Sequence, residues 1–395
     1  MNITPFSLSR LPRIEFGSGS LAKLPGIVRG FGTRALLVTG ASSLKESRSW
    51  TGLSDGLNAV NISWLDVAVP GEPSPQMVDD AVRTLGGEGI EVVVGIGGGS
   101  ALDAAKAIAG LLKPGNSVMD HLEGVGPELP YAGPATPFIA VPTTAGTGSE
   151  ATKNAVLSVQ GPGGFKKSFR DERLMAEYAV IDPDLLATCP AGVIAANGMD
   201  AFTQLLESFV SSRAAPLTDS LAWGGMKAAR DGLLSFYRDA GDSRARERMA
   251  YAALVSGITL AQVGLGSVHG LAAPLGAFFP VPHGVACGTL VAMATRVNIE
   301  ALRAHNPRHP ALEKYAQAGR LLSRQGQLNQ EDAHAALVDT LDSWTRELKL
   351  PALAHYGVTA ADIPRLVANS RGSSMKTNPV VLEDAEIAAI LAARI

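Results

Sequence analysis

Asp200 lies in the run Asn197-Gly-Met-Asp-Ala-Phe-Thr-Gln-Leu-Leu-Glu207, which reads as the start of a helix. Gln204 follows it by four residues, so both project from one helix face. His269 and His283 bracket Gly270-Leu-Ala-Ala-Pro-Leu-Gly276. The surrounding stretch, from Met249 to Thr295, contains no Asp, Glu, Lys or Arg. One carboxylate and two imidazoles suit a catalytic divalent metal with an open coordination position. Taken singly, each residue has an ordinary reading. Asp200 can be a first-turn residue facing the helix dipole, and each His a hydrogen-bonded core residue.

A second chemistry is written in glycines and hydroxyls. Gly95-Ile-Gly-Gly-Gly-Ser100 follows an apolar run and opens a helical pattern. Gly97, Gly98 and Gly99 let the backbone approach a pyrophosphate, and the helix that Ser100 opens presents free N–H groups to that anion. A tight turn without a ligand has the same signature. Asp103 and Lys106, one turn apart, either reach a ligand or are plain surface charges. Downstream, Val141-Pro-Thr-Thr-Ala-Gly-Thr-Gly-Ser-Glu150 places the hydroxyls of Thr143, Thr144, Thr147 and Ser149 around two glycines. It reads as a ligand loop at the carboxyl end of a strand, or as a Ser/Thr turn capping a helix.

These motifs need elements to position them. Ala35–Thr39, Ile90–Ile96, Phe138–Val141 and Tyr178–Ile181 read as buried strands, with helical patterns at Gln76–Leu85 and Ala101–Leu112 between them. Such alternation implies a parallel sheet with helices on both faces. After about Pro190 the strand signals nearly vanish, and Gly198–Ser212, Leu217–Phe236, Arg244–Leu260 and Ala333–Leu348 read as helices. The expected fold class is therefore an α/β, Rossmann-like dinucleotide-binding domain over residues 1–188, followed by an all-α metal and substrate domain over 189–395. Gly161-Pro-Gly-Gly164 reads as a hairpin or loop tip.

Composition narrows the function classes. The 395 residues carry 34 Lys and Arg against 37 Asp and Glu, a net charge of −3, which argues against a dedicated nucleic-acid or polybasic membrane binder. Cys189 and Cys287 cannot build a disulfide scaffold, so a reducing, cytoplasmic setting is expected. The uncharged stretch is broken by Gly264, Gly266, Pro274, Pro280 and Pro282, and is expected to form buried helices of a soluble core rather than membrane spans.

The motifs together resemble the iron-containing alcohol dehydrogenases, members of the dehydroquinate synthase-like superfamily. Gly97-Gly-Gly-Ser, Pro142-Thr-Thr-Ala-Gly-Thr-Gly-Ser-Glu, Gly198-Met-Asp-Ala, and His269 with His283 occur in the family's order. Phe16-Gly-Ser-Gly, Asp182-Pro-Asp-Leu and Thr377-Asn-Pro extend the likeness over nearly the whole chain. The resemblance implies two domains with the active site in the cleft between them, and reversible NAD(P)-dependent oxidation of an alcohol to an aldehyde or ketone. It implies a homodimer acting on a small-molecule substrate. It also implies a metal held by Asp200, His269 and His283, and a cofactor contact at Lys166.

Two departures stand out. The family usually has His four residues after the ligand Asp, where this chain has Gln204, a weak neutral ligand. The related glycerol dehydrogenases are similar in using one Asp and two His with zinc, so either Fe2+ or Zn2+ is expected. Many members also carry a His where this chain has Ala273, which leaves proton transfer to water or the nicotinamide ribose. In this family the strand after Phe16-Gly often ends in an Asp that disfavours a 2′-phosphate; here that place is Gly40. Ser42 and Ser43, with Lys45 or Arg48, are the expected partners of such a phosphate, so NADP(H) is expected to be accepted beside NAD(H), and preferred. Two alternatives remain at this point: a dehydroquinate synthase-like lyase, and a non-catalytic dinucleotide-binding protein with a degenerate metal site.

Overall fold

The computed structural model describes residues 5–41, 44–161 and 163–395. The chain divides into two compact units. One comprises Ser9–Val159 with Lys166–Cys189; the other comprises Pro190–Ile395, joined by residues 5–8 and the segment Gln160–Phe165.

The first unit is built on a six-stranded parallel sheet. Its strands are β1 (Arg13–Phe16), β2 (Arg34–Gly40), β3 (Ser63–Val69), β4 (Val92–Gly97), β5 (Phe138–Pro142) and β8 (Tyr178–Ile181), in the order β1-β8-β5-β4-β2-β3. β6 (Asn154–Val159) and β7 (Phe165–Arg170) form a separate pair, and between them the Gly164 amide donates to the Gly161 carbonyl at 2.9 Å; Pro162 of the expected loop tip lies outside the described residues. Ala35 and Leu37 of β2, Val92, Val94 and Ile96 of β4, and Ile139 and Val141 of β5 point to one face. There they pack on Leu24 and Val28 of α1 (Leu24–Arg29) and on Leu53 and Leu57 of α2 (Arg48–Ala59). The alternate residues meet α4 (Gly99–Leu111), which follows α3 (Pro75–Leu85). A Cβ at Gly95 would lie 2.8 Å from the Ala105 Cβ and 3.3 Å from a Leu102 methyl, so glycine there lets α4 lie close on the sheet. Helices therefore cover both faces, as the buried strands require.

The edge strands β1 and β3 have no clear sequence signal because their residues are mostly half-exposed. The central strands β2, β4, β5 and β8 start and end within two residues of their expected bounds.

The second unit is helical. Its long helices are α5 (Ala191–Val210), α6 (Pro216–Arg238), α7 (Ser243–Val263), α8 (Ser267–Phe278), α9 (His283–His305), α10 (Pro310–Ser323) and α11 (Gln330–Glu347), followed by α12 (Ile363–Ala368) and α13 (Asp384–Ala392). The uncharged stretch becomes most of α7, from Met249 onward, all of α8 and the first half of α9. α9 is long and apolar enough to cross a membrane, yet 83% of its most apolar window is buried in the protein. α7 and α8 bend by 100° at the break around Gly264 and Gly266. Core burial thus explains the missing charges.

Candidate metal centre and dinucleotide turn

Three helices of the second unit bring the metal candidates together. Asp200 sits in the middle of α5, 1% exposed. That position removes the first-turn reading, because α5 opens at Ala191 behind Pro190. His269 is the third residue of α8, and His283 opens α9. His269 Nε2 lies 3.1 Å from Asp200 Oδ1, and His283 Nε2 lies 3.8 Å from the same oxygen. The two imidazole centroids are 5.4 Å apart. A fourth donor joins them that the sequence reading passed over. Cys287, one turn after His283, places its Sγ 3.5 Å from His269 Nε2 and 3.8 Å from His283 Nε2. One ligand atom from each of the four residues lies within 4.8 Å of all the others.

Glu207 orients this group and was also missed. It stands two turns beyond Asp200 on the same face of α5, which is the signal that could have found it. Its Oε2 lies 2.6 Å from His269 Nδ1, and its Oε1 accepts the Val268 amide at 2.7 Å. One carboxylate thereby caps α8 and turns the His269 Nε2 lone pair inward. Gly266 makes the approach possible, since a Cβ there would meet Glu207 Oε1 at 2.9 Å and Asn378 Oδ1 at 2.8 Å. Asn378, from the Thr377-Asn-Pro motif, accepts the preceding amide of α8, that of Ser267, at 3.1 Å.

Gln204 behaves differently from its neighbours. Its Oε1 accepts the Ser256 hydroxyl at 2.7 Å, and its Nε2 donates to Asp200 Oδ1 at 3.2 Å. It presents an amide nitrogen, not an oxygen, to the carboxylate.

The electrostatics fit a divalent cation. Asp200 Oδ2 is buried without a hydrogen-bond partner, a costly arrangement unless an ion satisfies it. Burial alone would raise the Asp200 carboxyl, but His283 and His269 beside it hold it below the usual carboxylate range. Burial disfavours the His269 imidazolium, yet Cys287, Glu207 and Asp200 around it raise it well above the usual histidine range. Burial pushes the Cys287 thiol up to about 12. A set of groups that binds a proton this strongly also attracts a metal ion, which competes for the same lone pairs.

In the first unit, Gly40 and Gly97 end β2 and β4, the neighbouring strands between which the sheet order reverses direction. Open α/β sheets bind ligands at such switch points. Gly98 caps α4 without a side-chain bond, so no cap occupies the first helical amides, including that of Ser100. The Thr/Ser loop lies directly over this turn. Cβ atoms at Gly98 and Gly99 would meet Thr144 Oγ1 at 3.3 Å and Thr147 Cγ2 at 2.6 Å, and the Thr143 amide donates to the Gly97 carbonyl at 2.9 Å.

Other cofactor candidates have internal partners. Neither Asp103 nor Lys106 is a surface charge. Asp103 accepts the Ser149 hydroxyl at 2.5 Å and the Val156 amide at 3.2 Å. Lys106 is fully buried and donates to Ser149 O, Ser149 Oγ, Thr152 Oγ1 and Asn154 O at 2.8–3.0 Å. These bonds brace the loop from beneath. Burial lowers the Lys106 ammonium to about 8 and raises the adjacent Glu150 carboxyl to about 7. Lys166 pairs with Glu72 at 2.6 Å, and Lys45 with Asp66 at 2.8 Å. Ser42 and Ser43 lie outside the described residues.

A family model described as iron-containing alcohol dehydrogenase matches residues 12–183, and one for the C-terminal region of the Fe-containing family matches 194–395. Lactaldehyde reductase of Escherichia coli is 31% identical over 89% of each chain. NAD-dependent methanol dehydrogenase of Bacillus methanolicus is 30% identical over 96% of this chain and 97% of its own. Among solved structures, an archaeal halo-thermophilic alcohol dehydrogenase from a Red Sea brine pool aligns over 100% of both chains with a TM-score of 0.90 and 27% identity. A sulfoacetaldehyde reductase from Bifidobacterium kashiwanohense in complex with NAD+ aligns over 99% of both, with a TM-score of 0.85 and 25% identity.

The chain belongs to the iron-containing alcohol dehydrogenase family. It is a metal-dependent, NAD(P)-linked oxidoreductase that interconverts an alcohol and an aldehyde.

Proposed function

We propose that Asp200, His269 and His283 hold the metal, and that Gly97–Ser100 with Thr144 and Thr147 seats the dinucleotide's pyrophosphate. The observation that carries the first assignment is the buried, partnerless Asp200 Oδ2 beside two inward-turned imidazoles. A divalent cation bound there supplies Lewis acidity toward an alcohol or carbonyl oxygen, while the dinucleotide supplies or accepts the hydride. Glu207 fixes the His269 tautomer, while Asp200, His269 and Cys287 are buried and His283 is partly exposed at 28%. No histidine stands at Ala273 to relay a proton, so on this reading water or the nicotinamide ribose takes that role.

Relatives named for lactaldehyde, methanol, 1,3-propanediol and sulfoacetaldehyde point to a short-chain substrate. NADP(H) is proposed as the preferred dinucleotide because Gly40 ends β2 without a carboxylate. With Lys45 engaged by Asp66, that reading relies on Arg48 at the start of α2. It also takes the protein as a cytoplasmic homodimer. Exposed Phe6, Leu8 and Leu11 lead into the edge strand β1, an arrangement open to pairing with a second copy.

The test is His283→Ala in the full-length protein, measured for metal content, dinucleotide binding by fluorescence quenching, and turnover of short aldehydes. Metal content and turnover are expected to collapse while dinucleotide binding persists. Retained metal and near-wild-type turnover would remove the assignment. The ratio of kcat/KM for NADPH over NADH decides the dinucleotide preference.

A further inference from the structure

We propose that Cys287, and not Gln204, completes the metal's protein ligand set, giving an Asp/His/His/Cys centre. This rests on the reading that Asp200, His269 and His283 hold a metal. Cys287 lies one turn after His283 on α9, so the two side chains share a face. Four donor separations are defined: 3.1 Å from His269 to Asp200, 3.8 Å from His283 to Asp200, 3.5 Å from Cys287 to His269, and 3.8 Å from Cys287 to His283. Bonds of about 2.0–2.3 Å in tetrahedral array place ligand atoms roughly 3.3–3.7 Å apart. The sulfur therefore stands near tetrahedral spacing from both imidazole nitrogens, and all four donor atoms lie within 4.8 Å of one another.

The position that would otherwise supply that ligand presents its amide nitrogen, not its oxygen, to Asp200. The Gln204 oxygen is engaged by Ser256, and its nitrogen, a donor with no lone pair for a metal, faces Asp200. The partnerless Asp200 Oδ2 is the independent sign that the Cys287 neighbourhood takes a cation. Cys287 would hold a divalent ion as its thiolate, the thiol proton passing to solvent. Thiolate is a soft ligand, so this set favours Zn2+ over Fe2+ relative to an all-oxygen-and-imidazole centre.

The experiment uses full-length protein expressed in cobalt-supplemented medium: wild type, Cys287→Ser, Cys287→Ala and Gln204→Leu. Wild type and Gln204→Leu are expected to show a thiolate-to-cobalt charge-transfer band in the near ultraviolet. Both Cys287 variants are expected to lose that band and keep visible d–d absorption from the remaining ligands. Zinc retention against a competing chelator is expected to fall at least about tenfold in the Cys287 variants and to change less in Gln204→Leu. Cobalt d–d bands without the charge-transfer band in wild type would overturn the Cys287 assignment and leave the Asp/His/His site standing. A band that persists in both Cys287 variants would also overturn it. Failure of wild type to take up cobalt or zinc would overturn the metal site itself.

Discussion

Glu207 divides its two carboxylate oxygens between the Val268 amide and His269 Nδ1. Substitution to Gln keeps a cap for α8 but removes the charge that steadies the imidazole. Glu207→Gln is expected to weaken metal binding by about 10–100-fold, read by chelator competition, with kcat/KM falling alongside. Unchanged metal affinity would show that Glu207 serves only as a helix cap. The neighbouring Gln204 shows why residue type alone misleads. Its place in the sequence suggests a ligand, while its hydrogen bonds tie it to Ser256 and Asp200.

At the scale of elements, the dinucleotide turn depends on how closely the Thr143–Ser149 loop rests on the start of α4. Gly99→Ala would place a methyl 2.6 Å from Thr147 Cγ2 and 2.8 Å from its Oγ1. Relieving such overpacking costs about 1–3 kcal/mol, and the loop gives way more readily than the sheet. Dinucleotide Kd is expected to rise roughly tenfold or more, by fluorescence titration, with metal content unchanged. An unaltered Kd would show that the loop yields without cost to binding. Packing explains another motif glycine as well. A Cβ at Gly198 would meet a Leu233 methyl at 2.3 Å, so glycine there lets α5 and α6 pack closely, two residues before Asp200.

At the scale of the whole molecule, buried Glu150 and Lys106 make stability depend on pH in opposite windows. The folded state raises Glu150 from 4.5 to about 7 through burial. Between those values the folded chain holds a proton that the unfolded chain has released, so stability falls as pH rises through that window. Lys106 is lowered from 10.5 to about 8, again by burial. There the unfolded chain holds the extra proton, and stability recovers as pH rises from about 8 toward 10.5. Glu150→Gln removes the first effect. Its urea midpoint relative to wild type is expected to be higher at pH 7.5 than at pH 5. An equal difference at both pH values would show that Glu150 is ionised throughout.

Features that rest on local pattern were legible in the chain itself. Continuous apolar runs marked the central strands β2, β4, β5 and β8. The glycine turn after β4, the hydroxyl loop after β5, and the face shared by Asp200 and Gln204 were readable because each is set within a few residues. The edge strands β1 and β3 were not, since half-exposed strands lack that contrast. Which donors converge was set by the packing of distant helices. Cys287 is 18 residues from His269, and Glu207 is 62 residues from it. Their meeting depends on the 100° bend that sets α8 against α7, and on how α5, α8 and α9 pack. A side chain's spacing along its own helix says which face it shares. Which other helix that face meets is set by packing, and so lies beyond any local pattern.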